Sequence, residues 1–183
     1  MHKSYYQYFY FIDTLDINQI KWIKSNTTII YRNYQDIPNI QKLLALKRYC
    51  KIKNIIFLIS NNLKLVAKYK FDGLYLPSFN KKLLKFDKYL PKNKILCGSA
   101  HNLREIRIKE MQGVQNIFLS PIFQTTKNKS HLGVCRFNTL SNMTKKKITA
   151  LGGIATNNIK KIKMTRAKGI ASISNIPYIL KTL

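Results

Sequence analysis

The sequence predicts an α/β fold, a minimal (β/α)8 TIM barrel forming a single domain over residues 1–183. Three observations predict it. Short apolar runs alternate with amphipathic, lysine-rich segments from one end to the other, which is the pattern of βα units around a parallel sheet. Eight such units can be counted. Most of the runs are apolar at consecutive positions, as strands covered on both faces require.

The first run, 6–12, is rich in Tyr and Phe and is followed at once by Asp13 and Asp16, so it reads as a strand and not as a signal peptide. A helix over 16–25 follows, then a strand over 28–31. Asp36, two residues before Pro38, is the expected cap of a helix over 38–49. The third strand is 54–59, and Ser60 and Asn61 precede a helix over 63–69. Strands over 73–76 and 94–97 come next, and then a helix over 103–111 whose apolar stripe is Leu103, Ile106 and Met111. The sixth strand, 116–119, leads into the longest irregular stretch, 124–136, which in a compact barrel is the mark of a functional loop. The seventh strand is 148–151, and Thr156 and Asn157 precede a helix over 158–164 with Ile159, Ile162 and Met164 on its apolar face. The eighth strand is 169–173. Gly113 and Gly169 stand between helix and strand, where a left-handed residue is expected. Tyr5, Tyr8, Tyr10 and Trp22 read as core or barrel-wall residues.

Thirty-three Lys and Arg against seven Asp and Glu give a formal charge of +26. Such a field invites polyanions, acidic lipid or phosphorylated substrates. The lysines are scattered through nearly every expected helix, and no nucleic-acid-binding motif sharpens the charge, so drift toward Lys, Asn and Ile at exposed positions is favoured over a nucleic-acid partner. No apolar run approaches the roughly 20 residues that cross a bilayer, so no membrane partner is expected. Cys50, Cys97 and Cys135 are odd in number and in no metal-ligand pattern, which suggests reduced thiols in a cytoplasm.

In a barrel of this kind the active site lies at the C-terminal ends of the strands. Gly152, Gly153 and Ile154 follow the seventh strand, and Ser174 and Asn175 follow the eighth, opening the last helix. Glycine turns and helix N-termini present backbone N–H groups to an anion, and these two loops are the usual phosphate seat. Ser99, Ala100 and His101 follow the fifth strand, and the run from Ser120 to Lys127 follows the sixth. His101 reads first as a helix-start residue, and with His131 and Ser120 it forms no recognisable nucleophilic triad. Tyr31 and Tyr34 stand where a flat heteroaromatic ring could stack.

The segments CGSAHNLREI, NIFLSPIFQTTKNK, ALGGIATNNIKKI and GIASISNI resemble, in order and spacing, the second-half signatures of thiamine phosphate synthases and their thiazole tautomerase relatives. The resemblance covers about 94–177 well, and the first half only in strand pattern with YRNY, ISNN and DGLYLPS. It implies a cytoplasmic transferase that joins hydroxymethylpyrimidine diphosphate to thiazole phosphate, its partners being phosphorylated small molecules. Thiazole phosphate would be held by backbone at Gly153, Ile173 and Ser174, by Thr125, and by Thr126 or the residue after it. Ser99 and one of Lys127 or Lys129 would contact the pyrimidine diphosphate. The tautomerase relatives carry a histidine where this chain has Ser120, which argues against their chemistry.

The departures lie in the first half. Of the family's diphosphate clamp after the second strand only Arg32 remains. The two magnesium aspartates map to Asn61 and Asn80, whose neutral carbonyls are poor ligands for a hard divalent cation, so weak magnesium binding is expected. In the implied reaction diphosphate departs from the pyrimidine methylene and the thiazole nitrogen captures the resulting cation, so catalysis consists largely of stabilising departing charge. Arg32, Ser99 and Lys127 are therefore the expected catalytic groups, with Tyr31 and Tyr34 at the ring. A phosphate-binding barrel without turnover is the alternative that the two asparagines favour, and a basic nucleic-acid-associated protein is a further one.

Overall fold

The computed structural model describes residues 6–23, 25, 27–126 and 129–173. Eight strands run β1 (Gln7–Ile12), β2 (Thr27–Tyr31), β3 (Ile56–Ser60), β4 (Gly73–Leu76), β5 (Ile95–Ala100), β6 (Asn116–Leu119), β7 (Lys147–Leu151) and β8 (Gly169–Ser172). All pair in parallel with their sequence neighbours, and β1 pairs with β8, from Gln7 opposite Gly169 to Tyr10 opposite Ser172, to close the barrel.

Alternation along the strands divides two cores. Phe9, Phe11, Ile30, Leu58, Tyr75, Cys97, Phe118, Leu151 and Ala171, drawn from all eight strands, fill the lumen. Phe118 contacts Phe9, Phe11 and Tyr75 edge to face, with centroids 4.7, 5.8 and 5.4 Å away. The lumen is thus a packed aromatic plug, each fully buried ring adding roughly 1.5–3 kcal/mol of hydrophobic stabilisation. The opposite strand faces, with Ile29, Phe57, Leu74, Leu96, Ile117 and Ile170, join the surrounding segments in the larger outer core.

Among the described residues four α-helices lie outside: α1 (Ile40–Ile52), α2 (Leu63–Tyr69), α3 (Leu103–Met111) and α4 (Gly133–Asn142). Asparagine caps three of them. Asn39, Asn62 and Asn102 accept from the backbone N–H of Lys42, Leu65 and Glu105, each satisfying a donor that the first turn leaves unpaired. His101 supports the start of α3, its N–H and Nδ1 each 2.8 Å from Glu105 Oε2.

Several expectations give way. The helices expected over 16–25 and 158–164 are short 3-10 segments, Ile17–Ile20 and Ile159–Met164, and the last helix, expected to open at Ser174, lies outside the described residues. Only such a turn, Phe86–Lys88, lies between β4 and β5. Asp36 does not cap α1; it accepts from Asn33 Nδ2 at 3.3 Å, because the helix starts after Pro38 and Asn39 is in place to cap it. The stretch 124–136 is not wholly irregular, since α4 begins at Gly133. Met111 and Met164 are exposed, and the buried position three residues beyond Ile106 is Lys109. Gly113 is left-handed as expected, with φ +81°. Gly169 instead lies within β8, where a Cβ would stand 2.7 Å from Thr149 Oγ1, so the lumen and not a turn requires it.

Candidate active site

The alternation that fills the lumen also decides what reaches its mouth. Two residues beyond Ile30 stands Arg32, two beyond Leu58 Ser60, two beyond Cys97 Ser99, two beyond Leu151 Gly153, and two beyond Ala171 Ile173. Four of these five were singled out from the sequence. Arg32 lies over the Phe11 ring at 5.2 Å, the top of the aromatic plug holding a guanidinium at the lip. It lines a cleft of about 440 Å3 with Tyr10, Asp13, Trp22 and Ile173.

Ser99 is buried, as is Tyr75, whose phenol burial pushes far up while Ser99 pulls the other way. Ser99 therefore stands below the rim, in the buried layer that holds Tyr75. A second cleft, of about 480 Å3, opens beside β2 and β3 and is lined by Tyr31, Tyr34, Asp36, Ser60, Asn61 and Phe79 among others. Tyr34 meets Phe79 edge to face at 5.1 Å, and its hydroxyl is 2.7 Å from Ser60 Oγ. Burial raises the Tyr34 phenol, while the Ser60 hydrogen bond and Arg32 pull the other way. Tyr34 is 46% exposed; Tyr31, at 6%, is part of the outer core and lines the same cleft.

Across the mouth, two loops are locked together. Ile122 N–H donates to Leu151 O at 3.0 Å and Phe123 N–H to Gly152 O at 3.1 Å. Gly153, at φ +69°, packs so closely that a Cβ would lie 2.4 Å from Phe123 O and 2.3 Å from Gln124 O. Asn158 Nδ2 donates to Gly153 O at 2.8 Å, while its Oδ1 accepts from Ala155 N–H at 2.9 Å, fixing the turn from the far side. A Cβ on Gly152 would come within 3.8 Å of Thr125 Cγ2, so Thr125 and the glycine pair share one corner. Ile173 leaves β8 beside them, since Leu151 pairs with Ala171. Thr126 follows at an exposed position. Lys127 and Ser174 lie outside the described residues; Lys129 is described and exposed.

Asn61 and Asn80 are brought together, Asn80 Nδ2 donating to Asn61 Oδ1 at 2.7 Å. Asn61 is left-handed, at φ +54°, with its N–H on Tyr75 O. Asn80 Oδ1 accepts from Lys82 N–H at 3.2 Å and Gln112 Nε2 at 3.4 Å. The oxygens at the expected magnesium positions are thus neutral and already engaged by N–H donors, and among the described residues no three His, Cys, Asp or Glu side chains gather to hold a metal. This donor set does not fit a hard divalent cation. Of the carboxylates, Asp13 and Asp36 stand near the mouth; Asp72 accepts from Phe57 N–H, Glu105 pairs with His101 and Glu110 with Arg107.

The sequence reading missed Lys109 and Gln112. Lys109 is fully buried, and burial pushes its ammonium down to about 8 against the pull of Glu105. The signal was present: a lysine three residues from Ile106, on the core face of α3, facing a glycine at 98.

A sequence model of the family described as thiamine monophosphate synthase matches residues 18–176. A thiamine-phosphate synthase of Prochlorococcus marinus is 30% identical over 159 residues, 84% of this chain and 46% of that protein. One of Fusobacterium nucleatum is 29% identical, covering 74% of this chain and 67% of its own length. The chain spans less than half the length of the first curated relatives it matches, 42% and 46%. Among solved structures, a thiamine phosphate pyrophosphorylase of Pyrococcus furiosus superposes with a TM-score of 0.71 at 18% identity, over 93% of this chain and 86% of that one, a likeness of fold.

Proposed function

Given that the chain belongs to the thiamine monophosphate synthase family, we propose that it joins hydroxymethylpyrimidine diphosphate to thiazole phosphate. The pyrimidine methylene–oxygen bond breaks with its electron pair going to the leaving diphosphate, and the thiazole nitrogen supplies the pair for the new carbon–nitrogen bond. The observation that carries this reading is the corner where Gly153 packs on the carbonyls of Phe123 and Gln124. That contact puts Thr125 beside a left-handed glycine turn, a hydroxyl and backbone donors suited to a phosphate.

Within this reading Arg32, held over Phe11, meets the diphosphate and gains interaction as charge develops on it. One of Lys127 or Lys129 assists, Ser174 with Ile173 and Thr126 completes the phosphate seat, and Tyr34 stacks on the pyrimidine ring, with Tyr31 lining the same cleft. Ser99, buried just beneath the mouth, meets the diphosphate from below. No step here uses magnesium, because Asn61 and Asn80 do not fit it. Among the described residues no helix is long and apolar enough to cross a membrane. The proposed setting is cytoplasmic, and the field of +26 draws the phosphorylated substrates in, with nucleic acid as no required partner.

A barrel that binds the phosphorylated ligand without turnover is the second reading, favoured by the neutral Asn61–Asn80 pair. Incubation with both precursors, with and without magnesium, separates the two. Product formation supports the synthase, and thiazole phosphate binding without any product leaves the binder.

A further inference from the structure

Lys109 breaks the rule that lysine is almost never fully buried unless paired with an acid. No carboxylate hydrogen-bonds to it among the described residues. Its stem crosses β5 at Gly98, where a Cβ would lie 2.9 Å from Lys109 Cδ. Its ammonium meets Pro77 O at 2.8 Å, Asn80 O at 2.9 Å and Gln112 Oε1 at 2.9 Å. Three protons are matched by three oxygens.

Gln112 continues the clamp, its Nε2 donating to Lys82 O at 2.8 Å, Asn80 O at 3.1 Å and Asn80 Oδ1 at 3.4 Å. Four acceptors of the turn 77–82 are therefore held from the helix layer by two side chains. On the other side Asn80 Nδ2 reaches Asn61 Oδ1, so the turn is tied on both faces through neutral oxygens alone.

Gathering oxygens from one turn around a positive centre is what a hard cation does. We propose that Lys109 is the resident cation of this loop, a positioning residue that orders the turn 77–82 in place of a divalent metal, so that the diphosphate substrate is bound here without magnesium. The substrate half rests on the synthase reading; the ordering of the loop does not.

Hydrogen exchange at the backbone amides of Asn80 and Lys82, which donate to Pro77 O and Asn80 Oδ1, reads the loop directly. In the native protein both should exchange slowly and at one rate in EDTA and in excess magnesium. Lys109→Met should speed them by about tenfold or more, with no recovery on adding magnesium. Fast exchange of the native amides in EDTA that slows with magnesium would overturn the proposal, and needs no variant to fold. So would native exchange rates in Lys109→Met. Inorganic pyrophosphate titrated under the same two conditions, corrected for the magnesium it complexes itself, should bind with affinities within about threefold of each other. Binding seen only with magnesium overturns the substrate half. Binding under neither condition sinks the synthase reading and that half with it, and the exchange rates still decide the role of Lys109.

Discussion

Gly153→Ala and Gly133→Ala make a matched pair, because both glycines are left-handed, at φ +69° and +66°, and only one is crowded. Around Gly133 a Cβ would meet nothing within 4 Å, so its cost is the backbone term alone, about 1–2 kcal/mol. At Gly153 the same methyl would sit 2.3 Å from Gln124 O and 2.4 Å from Phe123 O, both backbone atoms. Relief requires the two loops to part by about 1 Å, since carbon and oxygen need roughly 3.4 Å. That movement stretches the hydrogen bonds from Ile122 to Leu151 and from Phe123 to Gly152, each contributing about 1 kcal/mol. Gly153→Ala should therefore cost about 2 kcal/mol more than Gly133→Ala in urea unfolding. At about 2–4 °C per kcal/mol for a chain of this size, the two melting temperatures should differ by about 4–8 °C. Thiazole phosphate affinity should fall in the first variant and hold in the second. Equal stabilities, or equal affinities, would refute the packed corner as the phosphate seat.

Arg32→Ala should lower turnover by on the order of a hundredfold, about 2.7 kcal/mol of transition-state stabilisation, while thiazole phosphate affinity changes little; an equal loss in both would place Arg32 in ground-state binding. Calorimetry of the free native protein should show no tight, specific magnesium site, and Asn61→Asp with Asn80→Asp should create one if the carboxylates alone are lacking. Among the three thiols, Cys50 and Cys97 are buried and pushed up to about 12 by burial, whereas Cys135 is exposed. Iodoacetamide at mildly alkaline pH should label Cys135 and leave the other two, as mass spectrometry of the digest would read.

The strands were legible because each is wrapped on both sides, which leaves an apolar run of fixed length in the sequence. Gly73–Leu76 and Asn116–Leu119 fall at the expected boundaries for that reason. The outer layer was harder to read. A 3-10 segment shows the same three-residue spacing as a short α-helix, so Ile159 and Ile162 bury alike in either and give no sign of which forms. Hydrophobicity assigned Met111 to the core face of α3, but geometry assigns Lys109, which no polarity scale would place inside. The mouth was legible in proportion to chain proximity. Arg32, Ser99 and Ile173 came from the resemblance to the family's motifs, and the glycine pair from its place after the seventh strand. The Ser60–Tyr34 contact and the Lys109–Gln112 clamp join residues 26 to 32 positions apart, and local spacing carries no record of such meetings.

The ladder between β1 and β8 bears on how the molecule comes to exist. Until Ser172 is available, a growing chain holds two open sheet edges with unsatisfied N–H and C=O groups. Its lumenal aromatics, Phe9 and Phe11 among them, then lack their last wall. Ring closure across some 160 residues is a slow, non-local event, and before it the partly made sheet is open to pairing with another chain. A synthesis arrested between β7 and β8 would therefore yield an aggregation-prone intermediate and no reduced version of the site, since Ile173 and the glycine turn meet only when the circle is complete.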